Sequence, residues 1–530
     1  MRLTDKGLAL RALQVGAIAV VLAAAPYKTF DLDRFFVPKE LALGITALVA
    51  SLLCIVRVRR LALSRVDELI ALWLVLGAVS AVFATNWWLA GRAVALSLGG
   101  AACFWCARSV SRAGHSRALI AALASAGALG ALTAMLQTYG LRTEFFSLNR
   151  APGGTFGNRN FMAHLCVITL PAVLFSAVRA PTRASFLRWC AGLAVISGAL
   201  ILSRTRAAWL ALLVGLFVLL VASVFALRKR DDTLDLSRLG GAIGAIALGA
   251  ALAMVMPNTL DWRSDSPYLD TATSIVNYKG GSGHGRLIQY GNSLRMSVRH
   301  PLLGVGPGNW PVIYPRFASD SDPSLGSDGM TSNPWPSSDW VTFVSERGPA
   351  ALVVLGLALL GLMLDGVREV RGGASSEERL SAAVLLSTLV ILVTVGAFDA
   401  VLLLPVAALV GWALIGALSA PSRERRVVDL TWPKRVALIV AIVAAGALVV
   451  FRSGAQLAAM SLYATSARTA TLESASSLDP GSFRIHVRLA QLYQRRGDCK
   501  RAKPHAAAAR DLFPSAPAPK RLLSACGVRG

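Results

Sequence analysis

The chain has 530 residues, of which 55% are hydrophobic and 16% charged, with a formal net charge of +25; its mean hydropathy is +0.57. So apolar a chain of this length is not one soluble domain, and the composition points to a polytopic membrane protein. The basic residues are spread over short loops between apolar runs rather than gathered on one face, so a nucleic-acid partner is not expected.

About thirteen apolar runs are long enough for spanning helices, at roughly 12–27, 37–56, 66–85, 88–107, 116–137, 160–178, 186–203, 206–227, 239–256, 348–366, 380–398, 400–419 and 435–451. The first has no small-residue cleavage site after it and is read as a retained helix. Lys and Arg collect in alternate loops: Arg57, Arg59, Arg60 and Arg65; Arg108, Arg112 and Arg117; Arg179, Arg183 and Arg188; Arg228, Lys229 and Arg230; Arg423, Arg425, Arg426, Lys434 and Arg435. Positive residues near span ends stay on the cytoplasmic side, which puts the N-terminus inside and the segment 257–346 and the tail outside. The expected fold is all-α, a membrane helix bundle in four parts. Residues 1–256 hold nine spans, 257–346 form a large outer loop, 347–452 hold four more spans, and 453–530 form a small helical tail.

Four segments carry polar chemistry. GTFGNRNFMAH, Gly154 to His164, enters the sixth span on the outer side, and its Gly, Asn158 and Asn160 suit a tight turn that is either structural or lines a cavity. In SRTRAAW, Arg204 and Arg206 open the eighth span. Arg206 sits at a helix N-terminus, where free N–H groups favour an anion; the competing reading is an interfacial Arg reaching headgroups. Within the outer loop, GSGHGRLIQY places Arg286 four residues before Tyr290 on an amphipathic helix, followed by HPLLGVGPGNW with His300 and Asn309. That Gly-rich run lacks the Lys-Ser/Thr and the strand of a nucleotide-binding loop. In WPSSDWVTFVSERG, Asp339 and Glu346 are two helical turns apart and share a face, where one acts as a base or orients one, or both cap helix ends.

Of the seven cysteines, Cys54, Cys103, Cys106, Cys166 and Cys190 lie in or beside spans and are read as packing residues. Cys499 and Cys526 lie in the outer tail, either as a disulfide or as two free thiols. In the tail, Ala490, Tyr493, Gly497, Ala502, Ala509 and Pro514 fall at the offsets of a tetratricopeptide repeat over 481–514. It is either a surface for a protein partner or a small cap on the last span.

Taken in order, the outer GTFGNRN turn, the S-R-x-R entry, the Arg-bearing helix, HPLLGVGPGNW and the E-x-G entering the tenth span resemble the O-antigen ligase and O-antigen polymerase superfamily over roughly 150–420. The resemblance implies a GT-C-like bacterial inner-membrane glycosyltransferase that needs no metal or other cofactor. It implies a donor glycan on undecaprenyl diphosphate at the periplasmic face, and as acceptor a glycan, a lipid A-core or a protein, with membrane lipid around it. Arg206 and Arg286 match its two diphosphate-binding arginines. Its usual His, the activator of the acceptor hydroxyl, falls on Ser337, which cannot act as a base near neutral pH. Asp339, two residues on, is a substitute, and His284 and His300 lie in the same loop, although His300 before Pro301 matches a position of the superfamily that reads better as structural. Two other classes stay open: a transporter or flippase of a lipid-linked or anionic substrate, for which Asp399 between two spans is the main sign, and a non-catalytic assembly protein, favoured by Ser337.

Overall fold

The computed structural model describes residues 5–147, 151–228, 235–262, 264–273, 281–419 and 426–527. Lys229, Arg230, Arg423 and Arg425 of the basic clusters lie outside the described residues. The fold is an all-α membrane bundle. In chain order the helices are α1 Asp5–Leu22, α2 Asp33–Ile55, α3 Arg65–Val82, α4 Trp87–Val110, α5 Ser116–Thr138, α6 Arg159–Val178, α7 Arg183–Ser203, α8 Arg206–Ala226 and α9 Leu236–Val255. There follow α10 Pro267–Thr273, α11 Gly281–Arg299, α12 Trp310–Ile313, α13 Asp339–Gly372, α14 Ser376–Phe398, α15 Trp412–Leu418, α16 Trp432–Thr465, α17 Thr469–Leu478, α18 Phe483–Arg495, α19 Cys499–Leu512 and α20 Pro517–Ala525.

Among the described residues nine helical runs are long and apolar enough to cross a membrane; one of them, Trp87–Thr138, is α4 and α5 joined through a left-handed turn at Gly114. Helices α1 and α3 also sit in the bundle but each carries three charged residues, Asp5, Lys6 and Arg11 in one and Arg65, Asp67 and Glu68 in the other. The run predicted over 400–419 is a correction. Residues 401–404 form a turn, and the helix starts only at Pro405, because Asp339 takes up the Val401 and Leu402 N–H groups that a continuing helix would have used. The one sheet among the described residues is a two-stranded antiparallel pair, β1 Arg60–Leu63 and β2 Arg426–Asp429, with Arg60 opposite Asp429.

Two buried cations in the bundle are satisfied by carbonyl oxygens, whereas the buried Arg108 pairs with the Asp67 carboxylate. Lys39 donates to Val21 O and Ala23 O, and Arg379 to Ala226 O and Gly373 O. An unpaired charge at such depth costs several kcal/mol, so these bonds fix the ends of α1 and α8 against their neighbours.

The long loop packs on one end of the bundle. GVGPGN forms a turn in which Gly304, Gly306 and Gly308 all have positive φ, at 65°, 96° and 71°. A Cβ on Gly306 would stand 2.4 Å from the Ala84 Cβ, and one on Gly308 2.8 Å from Leu89 O, so only glycine lets this turn seat against the α3–α4 connection. The tail covers part of the loop. Asn86 Nδ2 donates to Leu512 O at 3.2 Å, Phe513 packs with Met296, Trp310 and Tyr314, and a Cβ on Gly481 would meet the Trp88 ring at 2.6 Å. Within the tail Cys499 and Cys526 are joined by a disulfide with Cα atoms 5.5 Å apart. The other five cysteines are free, and four of them are buried among apolar side chains.

Candidate active site

The break between α7 and α8 builds the first wall of the site. Arg204 ends α7 in the left-handed region at φ 51°, which turns the chain so that Arg204, Thr205 and Arg206 face a cavity of about 960 Å³. The opposite wall is α11, through Gly285, Arg286 and Gln289, with Ser332, Asn333, Trp335 and Ser337 from the segment ahead of α13. Asn158 and Asn160 at the start of α6, and Asp399 just past α14, complete it. Asn158 is the N-cap of α6 and accepts the Asn160 N–H at 3.0 Å. The Arg204 guanidinium stacks 4.8 Å from the Trp262 ring centroid and donates from Nε to Thr271 Oγ1 at 2.8 Å, so its geometry is fixed before any ligand arrives.

Four arginines, Arg159, Arg204, Arg206 and Arg286, line this cavity against two carboxylates, Asp261 and Asp399. Arg206 and Arg286 are close enough to repel one another. Among the described residues Arg286 forms neither a hydrogen bond nor an ion pair. Two like charges held near one another at one end of the bundle favour a polyanion, and guanidinium groups suit phosphate oxygens.

Asp399 is the carboxylate best placed to do chemistry. It is buried apart from the face it presents to the cavity, Asn160 Nδ2 donates to its Oδ2 at 3.1 Å, and Ala400 N–H donates to its Oδ1 at 2.9 Å. Behind it His164 Nε2 lies 3.7 Å from Oδ2, beyond hydrogen-bond distance. Asp261, by contrast, is exposed.

Several predicted site residues are elsewhere. Asp339 is fully buried and lines neither cavity; its two oxygens accept the Val401 and Leu402 N–H groups, both at 3.0 Å, so it holds the broken helix and is not available as a base. Glu346 accepts Gly308 N–H at 2.7 Å and Trp310 N–H at 3.1 Å, which pins the GVGPGN turn. Asn309 is fully buried and exchanges bonds with Asn86, accepting its N–H at 2.7 Å and donating to its carbonyl at 3.0 Å. Tyr290 donates to the Ser337 and Ala397 carbonyls, and burial pushes its phenol up to about 12, so it stays a donor that clamps α11 to the cavity rim. His300 and His284 are exposed and face neither cavity. Ser337 does face the first cavity, with its N–H donated to Gln289 Oε1 at 2.7 Å.

A second cavity of about 760 Å³ lies on the other side of the segment 330–335. Lys28, Arg34, Arg92 and Arg484 line it together with Asp31, Asp33, Glu40 and Glu346, four cations and four carboxylates. Arg92 bridges Asp33 and Glu40, both at 2.8 Å. Ser332, Asn333 and Trp335 line both cavities. The sequence gives no pattern for this second site, whose residues come from the α1–α2 connection, α2, α4, the loop and the tail. Asp399 had one visible sign, a lone acid between two apolar runs.

Residues 191–356 match the family model described as O-antigen ligase, the superfamily that the motifs resemble. The matched stretch contains Arg204, Arg206, Arg286, Ser337 and Glu346, and leaves Asn160, Asp399 and the tail outside it. No curated protein matches the chain. The chain is therefore a multi-pass membrane protein in which residues 191–356 are similar to the O-antigen ligase type of membrane glycosyltransferase.

Proposed function

We propose that the protein transfers a glycan from undecaprenyl diphosphate to an acceptor hydroxyl on the periplasmic side of the bacterial inner membrane, in surface polysaccharide or lipopolysaccharide biosynthesis. The observation that carries this reading is the cavity lined by four arginines, in which Arg206 and Arg286 lie close enough to influence one another electrostatically. The orientation rests on the basic clusters of the opposite loops, and the tail disulfide supports it, since such bonds persist in oxidising compartments.

In this reading Arg206 and Arg286 hold the two phosphates of the donor. Asp399 takes the proton of the acceptor hydroxyl as its oxygen attacks the anomeric carbon. The bond from that carbon to the diphosphate oxygen breaks, and the electron pair leaves with the lipid diphosphate, whose growing charge the guanidiniums stabilise in place of a metal ion. Asn160 orients the carboxylate, and Ser337 leaves the room that the family's His would fill. That Asp399 lines the arginine cavity and Asp339 does not supports Asp399 as the base in place of that His. The acceptor is a sugar, a lipid A-core or a protein; the helical-repeat reading of the tail favours a protein partner nearby.

A deletion strain complemented with variants tests this. Arg206→Ala and Arg286→Ala are expected to abolish surface glycan on a polysaccharide gel while membrane protein levels stay normal. Glycan restored to wild-type length by either variant would sink the role given to the pair. Single-repeat glycan in the deletion strain marks a polymerase, and long unattached chains mark a ligase.

A further inference from the structure

We infer that the second cavity is a binding site for the acceptor and that its ligand is a neutral, polyhydroxylated sugar chain, with the C-terminal tail supplying one wall. The inference rests on the proposed glycosyl transfer and assigns its second substrate a place.

Adjacency is the first observation. Ser332, Asn333 and Trp335 line both cavities, so a ligand in each would be separated only by this strap of side chains. A transfer between two bound molecules needs such neighbouring volumes, because holding both reactants in place is what makes the step effectively unimolecular.

Charge is the second. The first cavity has a surplus of arginines, whereas the second has as many carboxylates as cations, and its charged groups already have partners: Lys28 pairs with Glu144, Arg34 donates to the Glu144 and Phe146 carbonyls, and Glu346 accepts the Gly308 and Trp310 N–H groups. Arg92 sits between Asp33 and Glu40, and Arg484 Nη2 lies 3.8 Å from Asp31 Oδ2. A balanced, preorganised array of charged donors and acceptors gains nothing from an ion but hydrogen-bonds a polyol well.

The third is the apolar component. Phe30, Phe35, Phe36, Trp335 and Phe513 border the same space, and aromatic faces pack against the C–H faces of sugar rings. A volume of about 760 Å³ falls within the range of ligand pockets. Two of the lining residues, Arg484 and Phe513, come from the tail; Arg484 also stacks 5.3 Å from the Phe30 ring centroid. The tail therefore completes this pocket and is more than a cap on α16.

The test is equilibrium binding of fluorescently labelled maltotriose, cellotriose and chitotriose to the full-length protein in lipid nanodiscs. At least one is expected to saturate the wild type, with Kd raised about tenfold or more by Asp31→Asn and by Arg484→Ala, and unchanged by Arg495→Ala on the exposed tail surface. Circular dichroism and an intact tail disulfide on a non-reducing gel establish that the variants are folded. Absence of binding by all three sugars, or binding that ignores both cavity variants, overturns the inference. Because this readout needs no donor, it separates from the transfer reaction: donor turnover without sugar binding refutes the acceptor site alone, and sugar binding without donor turnover refutes the proposed activity alone.

Discussion

The two cavities share a wall and differ in what they are built to hold. One has four arginines against two carboxylates and is assembled at helix breaks of the bundle; the other has balanced charge, an aromatic border and a wall from the tail. The difference teaches that proximity alone does not define a site here. On the proposed reading, net charge separates a place for a polyanion from a place for a polyol, with the strap Ser332 to Trp335 between them.

The largest effect that would break this contrast is expected at Asp399. Asp399→Asn keeps the bond with Asn160 possible but removes the base, and should lower the transfer rate by about 10² to 10⁴-fold with little change in donor KM. A wild-type rate in single-turnover kinetics would remove Asp399 from the chemistry. Next in size, Arg286→Ala should lower kcat/KM for the lipid-linked donor by about 10² to 10³-fold, with partial recovery in Arg286→Lys, because a lysine restores charge but not the bidentate contact.

The second cavity responds to the tail rather than to the bundle. Cys499→Ser opens a cross-link spanning 27 residues and should cost the tail about 3 kcal/mol, read as faster hydrogen exchange in α18 and α19. Acceptor KM should rise while donor KM stays put; equal changes in both would mean the cavities are not independent.

The smallest effect is pH-linked. Burial lowers the His486 imidazole below its ordinary value, and its Nδ1 lies 3.1 Å from His505 Nδ1. The folded tail thus disfavours a proton that the unfolded tail accepts below about pH 6.5, so this contribution to tail stability is full above that pH and is lost as the pH falls below it. His486→Gln should flatten this dependence in hydrogen-exchange protection of α18 measured above and below about pH 6.5.

Much of the bundle was legible because apolar runs report spanning helices directly, and Arg206 and Arg286 because one opens a helix N-terminus, the other sits on an amphipathic helix, and both match the arginines of the superfamily that the motifs resemble. The half-helix at Pro405 was not legible. Its run is apolar throughout, and only Asp339, 62 residues earlier in sequence from Val401, shows that the first turn is unwound. The same contact misled the reading of Asp339 as a base: spacing placed it on a face with Glu346, but both carboxylates are consumed by backbone N–H groups. The partner of Asp399, Asn160, is 239 residues away, and no local pattern joins them.

The central claim is that the arginine cavity turns over a lipid diphosphate donor. The most direct measurement is release of undecaprenyl diphosphate from a synthetic undecaprenyl-diphosphate oligosaccharide by the purified full-length protein in liposomes containing a chelator. Release by the wild type that is lost in Arg206→Ala and Arg286→Ala is the predicted result. No release by the wild type, or release that both variants retain, would contradict it.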